Sequence, residues 1–344
     1  MTNSFIEQHV EKARQKYQPL FSTIEITQAC NFACRHCYNF DRQDPVAKSP
    51  YASLMSDQEI IRSIEQLALA GALYLNLTGG EPLLHPSLNK FIEKAKLESF
   101  FVRLKTNASL VTEEKAKELY LSGLDAADIS LYGAGQATYE HFTKRAQFED
   151  TVRGIDALKK AGIDISVSLI LHRFNAHEIE DMIQLCLDKE WPYLLTDEIT
   201  DRYDQSQASS DNALTDDQYA DLLTSKHRSV FECDNKERAV QCSCATTVCA
   251  IAANGDVYPC IGAPIKSGSI KEESFASIWE HSPQLNKIRS LKQEDFKDCQ
   301  SCSYIESCTR SSGSAVINTG DYTGCDPFAL QRAKVRHHFK TTKM

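Results

Sequence analysis

Between residues 21 and 200 the chain alternates short β-branched, apolar runs with amphipathic stretches, and no other feature restricts its fold as much. Strands are predicted at 21–27, 73–77, 101–105, 127–131, 163–171 and 193–199. Helical patterns lie between them. Ser56 and Glu59 form a capping-box signature ahead of Ile60, Ile61, Ile64 and Leu67, and Gly71 closes that helix. Further helices are read from Ser87, over 112–122, around 148–162 and over 176–189. The run at 163–171 is almost continuously apolar, as a parallel strand covered on both faces should be. Six such repeats predict an α/β fold, a partial (β/α)6 barrel resembling a TIM barrel.

Barrels of this kind carry their chemistry at the C-terminal ends of the strands. Directly after the first strand stand Cys30, Cys34 and Cys37, spaced C-x3-C-x2-C. Three thiolates in so short a loop can close around one metal centre, either zinc or an iron-sulfur cluster. Structural zinc wants a fourth protein ligand, and the nearest, His36, lies awkwardly between two of the cysteines. The count therefore suggests an iron site left open for a non-protein ligand. After the second strand comes Thr78-Gly79-Gly80-Glu81-Pro82, in which glycines permit close backbone approach and a carboxylate can receive an ammonium group. Thr106-Asn107-Ala108 follows the third strand, and 128–133, with Ser130, spans the end of the fourth.

These segments, in this order, resemble the radical S-adenosylmethionine (radical SAM) superfamily. The resemblance implies that Cys30, Cys34 and Cys37 hold a 4Fe-4S cluster whose fourth iron takes the methionine end of S-adenosylmethionine. It further implies that Gly79, Gly80, Glu81 and Pro82 cradle the methionine amino group and that Ser130 meets the ribose. Arg145 stands where related enzymes place a cation for the methionine carboxylate, with Lys144 as its neighbour and Asn107 as a weaker contact. Tyr38 is a candidate to pack near adenine.

Eight further cysteines crowd the C-terminal part, at 242, 244, 249, 260, 299, 302, 308 and 325. Asn254-Gly255 reads as a type I′ turn, so residues 242–260 are expected to form a β-hairpin that presents cysteines. This arrangement resembles the SPASM extension of radical SAM enzymes that modify peptides and proteins, implying two auxiliary 4Fe-4S clusters. Cys299, Cys302, Cys308 and Cys325 would hold the outer one. The inner one keeps Cys242 and Cys260 but meets Ser312 where the family pattern has a cysteine. Cys249 is the expected replacement, with Cys244 as alternative. Two structural zinc sites are the competing reading. Cys186 and Cys233 have no partner at motif spacing and read as ordinary core or surface cysteines.

The resulting plan has an N-terminal helix in 1–20 and a barrel in 21–200. A polar linker with a short helix follows at 201–240, then the cysteine-rich region at 241–326 and a basic amphipathic helix at 327–344. That last helix is read as a solvated face, with a leader-peptide contact as the alternative. A formal net charge of -9 argues against nucleic acid and anionic membrane surfaces as partners. No apolar run approaches the ~20 residues of a membrane span, and no signal-peptide core is present, so a cytoplasmic location is expected.

The resemblance implies an enzyme that cleaves S-adenosylmethionine reductively to a 5′-deoxyadenosyl radical and takes hydrogen from a substrate residue. The expected substrate is a ribosomally made precursor peptide, modified by crosslinking, epimerisation or oxidation. A small molecule or tetrapyrrole is the alternative within the class. A non-enzymatic iron-sulfur or zinc sensor is the alternative outside it. Likeness to sulfatase maturases is poorer, because Ile261 follows Cys260 where those enzymes carry an acid. A flavodoxin- or ferredoxin-type reductant is an expected partner. Only about twenty residues precede the first strand, below the ~50 of a self-folding domain, so substrate binding is expected from a separate leader-binding protein, from a leaderless substrate, or from the barrel mouth, the linker at 201–240 and the basic tail.

Overall fold

The computed structural model describes residues 5–43, 51, 53–203, 209–236 and 242–342. Six parallel strands, β1 (Phe21–Thr27), β2 (Tyr74–Gly79), β3 (Phe101–Thr106), β4 (Ala126–Leu131), β5 (Asp164–Ile170) and β6 (Tyr193–Thr196), lie side by side in chain order. Each is joined to the next through helix, as parallel pairing requires. The sheet is open: β6 forms one edge, and β1 continues into two strands from the far end of the chain. The barrel is therefore partial.

Those two strands are β7 (Val248–Ile251), parallel to β1 with Phe21 opposite Val248, and β8 (Val257–Tyr258), antiparallel to β7. The expected hairpin forms, but its turn is not type I′. Gly255 alone has positive φ, at 93°, and its N–H donates to the Ala252 carbonyl while the Asn254 side chain accepts from the Asp256 N–H. That is a three-residue turn ending in a left-handed glycine. It lays the cysteine-rich region directly on the barrel sheet.

Helix Asp57–Leu69 begins with the capping box at Ser56 and Glu59 and buries Ile60, Ile64 and Leu67 against the sheet. Two helices, not one, follow β4: Gln136–Thr143 and Phe148–Lys160. The first is shorter and far less amphipathic than the second, which is why the sequence hid it, and its end holds the cysteine loop. The Thr143 carbonyl accepts from the Ala33 N–H and the Phe142 carbonyl from the Arg35 N–H.

Within 201–240, helix Asp216–Thr224 buries Tyr219, Leu222 and Leu223 and packs on the C-terminal helix Pro327–Thr341. That last helix is not a solvated face. Arg332 and Arg336 are buried, their guanidiniums resting on the Tyr219 ring and donating to the carbonyls of Leu214, Phe231 and Ser307. Long cationic side chains can cover apolar surface while backbone carbonyls take some of their donors, and the charge of Arg332 is met by the Asp197 carboxylate at 3.1 Å. No described helix is long and apolar enough to cross a membrane.

Candidate active site

A cavity of about 500 Å³ opens at the C-terminal ends of the strands. Cys30, Cys34 and Cys37 line one side, with Gly79, Gly80, Glu81, Thr106, Asn107 and Ser130 around it. The glycine pair has a steric reason beyond ligand access. A Cβ on Gly79 would come within 2.1 Å of the Thr27 carbonyl oxygen, and one on Gly80 within 2.1 Å of that of Ala29. The N–H groups of Gly80 and Glu81 donate to those two carbonyls, so the end of β2 is sewn to the root of the cysteine loop.

Glu81 is almost fully buried, and its carboxylate accepts from Thr106 Oγ1 at 2.7 Å, Asn107 N at 2.8 Å and Leu83 N at 3.1 Å. Burial raises its pKa, and those three donors hold it back. The carboxylate thus ties the ends of β2 and β3 together and starts the short turn Pro82–Leu84. Asn107 in turn reaches Asn31 of the cysteine loop through its side chain. Pro82 sits behind the wall in that turn. Arg145 is outside the cavity lining, with its Nε on the Asn31 carbonyl and Nη1 on that of Lys144.

The sequence reading missed Arg42, Lys105, Glu198, Thr200, Tyr203, Gly262 and Ile317, all of which line the cavity. Lys105 and Glu198 were findable from their places at or just past strand ends. Tyr203 and Ile317 were not, since only the folded chain brings them there. His36 packs against Tyr132 and Phe142, and burial pushes it down to about 4, leaving a neutral ring.

Two further thiol groups form in the C-terminal part. Cys244 Sγ lies 3.1 Å from Cys260 Sγ, and Cys242 Sγ lies 3.4 Å from Tyr322 Oη. Cys242 also hydrogen-bonds Cys244, a contact that pulls Cys242 down and pushes Cys244 up. Cys249 is fully buried in β7 and shares none of these contacts, although it feels the charge of Cys260. Cys299, Cys302, Cys308 and Cys325 surround a cavity of about 20 Å³ with Arg310 and Asp326. Cys233 donates to the Cys308 carbonyl beside that group, whereas Cys186 is plain core.

None of the thirteen cysteines is in a disulfide. Residues 24–186 match the family described as the radical SAM superfamily, and residues 242–303 match SPASM, an iron-sulfur cluster-binding domain. The chain is a radical SAM enzyme with a SPASM extension. An AdoMet-dependent heme synthase of Methanosarcina barkeri is 25% identical over 91% of this chain and 97% of its own. The mycofactocin maturase MftC of Mycolicibacterium smegmatis is 25% identical over 91% of this chain and 83% of its own. Among solved structures, native anSMEcpe with bound AdoMet superposes with a TM-score of 0.68 at 14% identity, covering 94% of this chain and 97% of that one. Streptococcus suis SuiB bound to precursor peptide SuiA gives 0.65 at 16% identity, covering 96% and 82%. These two likenesses are likenesses of fold.

Radical SAM domains bind a 4Fe-4S cluster and S-adenosylmethionine, and SPASM domains carry auxiliary clusters. The donor set fits. Burial pushes Cys30 up to about 11 and Cys34 higher, with Cys37 and Cys30 adding repulsion at Cys34, so three thiolates need a cationic centre among them. Beside them His36 Nδ1, Asn39 Oδ1 and Arg42 Nη2 are buried with no partner among the described residues, and all three residues line the cavity. Orphaned polar atoms of this kind are what a polar ligand satisfies.

Proposed function

We propose that this enzyme modifies a ribosomally made precursor peptide in the 500 Å³ cavity. The observation that carries the reading is that one cavity touches both cysteine regions. Cys30, Cys34 and Cys37 line one side, and Ile261 and Gly262, which directly follow Cys260, line another. When bound, the cluster and S-adenosylmethionine supply the hydrogen-abstracting 5′-deoxyadenosyl radical. Cys30, Cys34 and Cys37 hold the cluster, while Gly79, Gly80, Glu81, Asn107 and Ser130 form the cofactor wall and Pro82 fixes the turn behind it. Tyr203, Ile261 and Ile317 keep water from the reacting carbon and bring substrate beside the inner thiol group. Glu198, just past β6, is the acid on the substrate side. It lines the cavity while still reaching solvent, and the protein packed around it together with Asp197 and Asp326 holds its pKa up, which suits a proton acceptor.

The likeness to a maturase supports a peptide, and the equal likeness to heme synthases supports a tetrapyrrole as the second reading. A flavodoxin- or ferredoxin-type reductant and a separate leader-binding protein complete the proposed system, which belongs in the cytoplasm. The test is anaerobic incubation with S-adenosylmethionine and a strong reductant, first alone and then with short peptides encoded beside the gene. The expected result is 5′-deoxyadenosine in both cases and a mass change in one peptide. Turnover of an iron-porphyrin precursor with no peptide modified would establish the second reading instead.

A further inference from the structure

Three thiols meet at the inner site, and the fourth side is oxygen. Ser312, standing where the family pattern has a cysteine, is fully buried and within hydrogen-bonding reach of both Cys242 and Tyr322. Its hydroxyl already accepts from Arg310 Nη1 at 2.6 Å. Arg310 is fixed in its turn by the Gly324 carbonyl, which accepts from Nε at 3.0 Å and Nη2 at 2.8 Å, and by the Tyr322 carbonyl. One lone pair of the serine oxygen is thus taken by a cation and its hydrogen is shared between Cys242 and Tyr322, which is the place of a support.

Tyr322 is differently placed. It occupies a tight turn in which Asp321 accepts from the Thr323 N–H and the Gly324 N–H closes back onto the Asp321 carbonyl. Its ring packs against both the main core and the small core around Phe296 and Cys299. That leaves the phenol oxygen directed at Cys242 Sγ, 3.4 Å away. Cys249, the competing donor, sits in β7 opposite Ser22 of β1, and its thiol feels Cys260 but makes none of the sulfur contacts that join Cys242, Cys244 and Cys260.

We propose that the phenol oxygen of Tyr322 is the fourth ligand of the inner auxiliary cluster, completing a site whose other ligands are Cys242, Cys244 and Cys260. The proposal rests on the SPASM reading above. A tyrosine oxygen is an established iron ligand in haem proteins, and as a harder donor than thiolate it favours the more oxidised iron. Ser312 then orients the phenol through its hydrogen bond, and Arg310 orients Ser312.

The experiment uses the full chain with Cys30, Cys34 and Cys37 replaced by Ala, reconstituted without oxygen so that only auxiliary clusters remain. About eight irons per chain are expected, from two 4Fe-4S clusters. Resonance Raman excitation in the visible should show iron-bound tyrosinate ring modes. Tyr322→Phe should remove them and alter the electron paramagnetic resonance signal of one reduced cluster while the outer signal persists. Cys249→Ser should change neither. Ser312→Cys should remove the same modes at an unchanged iron count, by restoring a fourth thiolate. Absence of tyrosinate modes before any change at Tyr322, or loss of the inner signal in Cys249→Ser, overturns the assignment. A count of four irons overturns the two-cluster reading beneath it, an outcome distinct from eight irons without tyrosinate modes.

Discussion

The thiol loop at 30–37 and the thiol group formed by Cys299, Cys302, Cys308 and Cys325 differ in what surrounds them. The first has three cysteines beside a cavity of about 500 Å³, whereas the second has four around about 20 Å³. Three protein ligands leave a position for chemistry; four close it. The same distinction separates catalytic from structural metal sites generally. On the proposed function, it puts bond-making at the barrel mouth and electron storage or support at the outer site. The inner group of Cys242, Cys244 and Cys260 has three thiols like the loop, and it touches both regions: Ile261 and Gly262 beside it line the large cavity, and Tyr322 packs on the small core of the outer group.

The test with the largest expected effect sets these sites against each other. Replacing Cys30, Cys34 and Cys37 by Ala should remove about four of roughly twelve irons and abolish 5′-deoxyadenosine formation. Cys308→Ala should instead cost the outer irons and leave uncoupled cofactor cleavage measurable. If Cys308→Ala stops cleavage as completely as the triple change, the division of labour is broken.

A second test asks how firmly the two regions are joined. Glu25 of β1 is fully buried where they meet, accepting from Tyr38 and Tyr51 hydroxyls and from the Ala253 N–H of the C-terminal hairpin. Burial raises its pKa from 4.5 to about 7 against those donors. Between those values a rise in pH ionises the unfolded carboxyl but not the folded one. Stability should therefore fall by about 3 kcal/mol across that window and stay level above it. Urea unfolding at pH 5 and pH 8 measures the difference, and Glu25→Gln should abolish it. A slope retained in the variant would mean that another group carries it.

Glu81→Gln should have a smaller effect on stability, about 1–3 kcal/mol, because one of the donors from Leu83, Thr106 and Asn107 loses its acceptor. Cofactor affinity should drop with the iron content unchanged, since the wall at Asn107 is held by this carboxylate. Equal urea midpoints for the variant and the natural chain would show that the carboxylate is not the tie described here.

Much of the barrel was legible because its signals are local. A capping box, a glycine closing a helix and three cysteines in eight residues can each be read without knowing the rest of the chain. The pairing of β1 with β7 was not legible, since Phe21 meets Val248 across most of the sequence. Nor was it legible that Cys244 Sγ would lie 3.1 Å from Cys260 Sγ while Cys249 sits in a strand interior. The buried arginines of the last helix misled for a physical reason: their carbonyl and ring partners are invisible in a hydropathy pattern. Ser312 could be flagged as a departure, but the oxygen of Tyr322 beside it appeared only in three dimensions.

The smallest expected effect separates contact from support within the barrel site itself. Arg145 was expected at the methionine carboxylate, yet its guanidinium is spent on the Asn31 and Lys144 carbonyls, and the cavity wall has its cations at Arg42 and Lys105 instead. Asn31 belongs to the cysteine loop, so Arg145 acts on the site by steadying that loop. Arg145→Ala should then cost about 1 kcal/mol of stability, since both of its hydrogen bonds are made at an exposed position. Affinity for S-adenosylmethionine should change by no more than about threefold, since RT makes a tenfold change worth about 1.4 kcal/mol. Arg42→Ala should weaken binding by more than Arg145→Ala does, because its Nη2 is buried with no partner among the described residues and its side chain lines the cavity. Binding titrations on the anaerobic enzyme with its irons counted beforehand would decide the order. A tenfold or greater loss in Arg145→Ala with stability unchanged would mean that the guanidinium leaves the loop and turns inward when cofactor arrives, making the open site one that closes on its ligand.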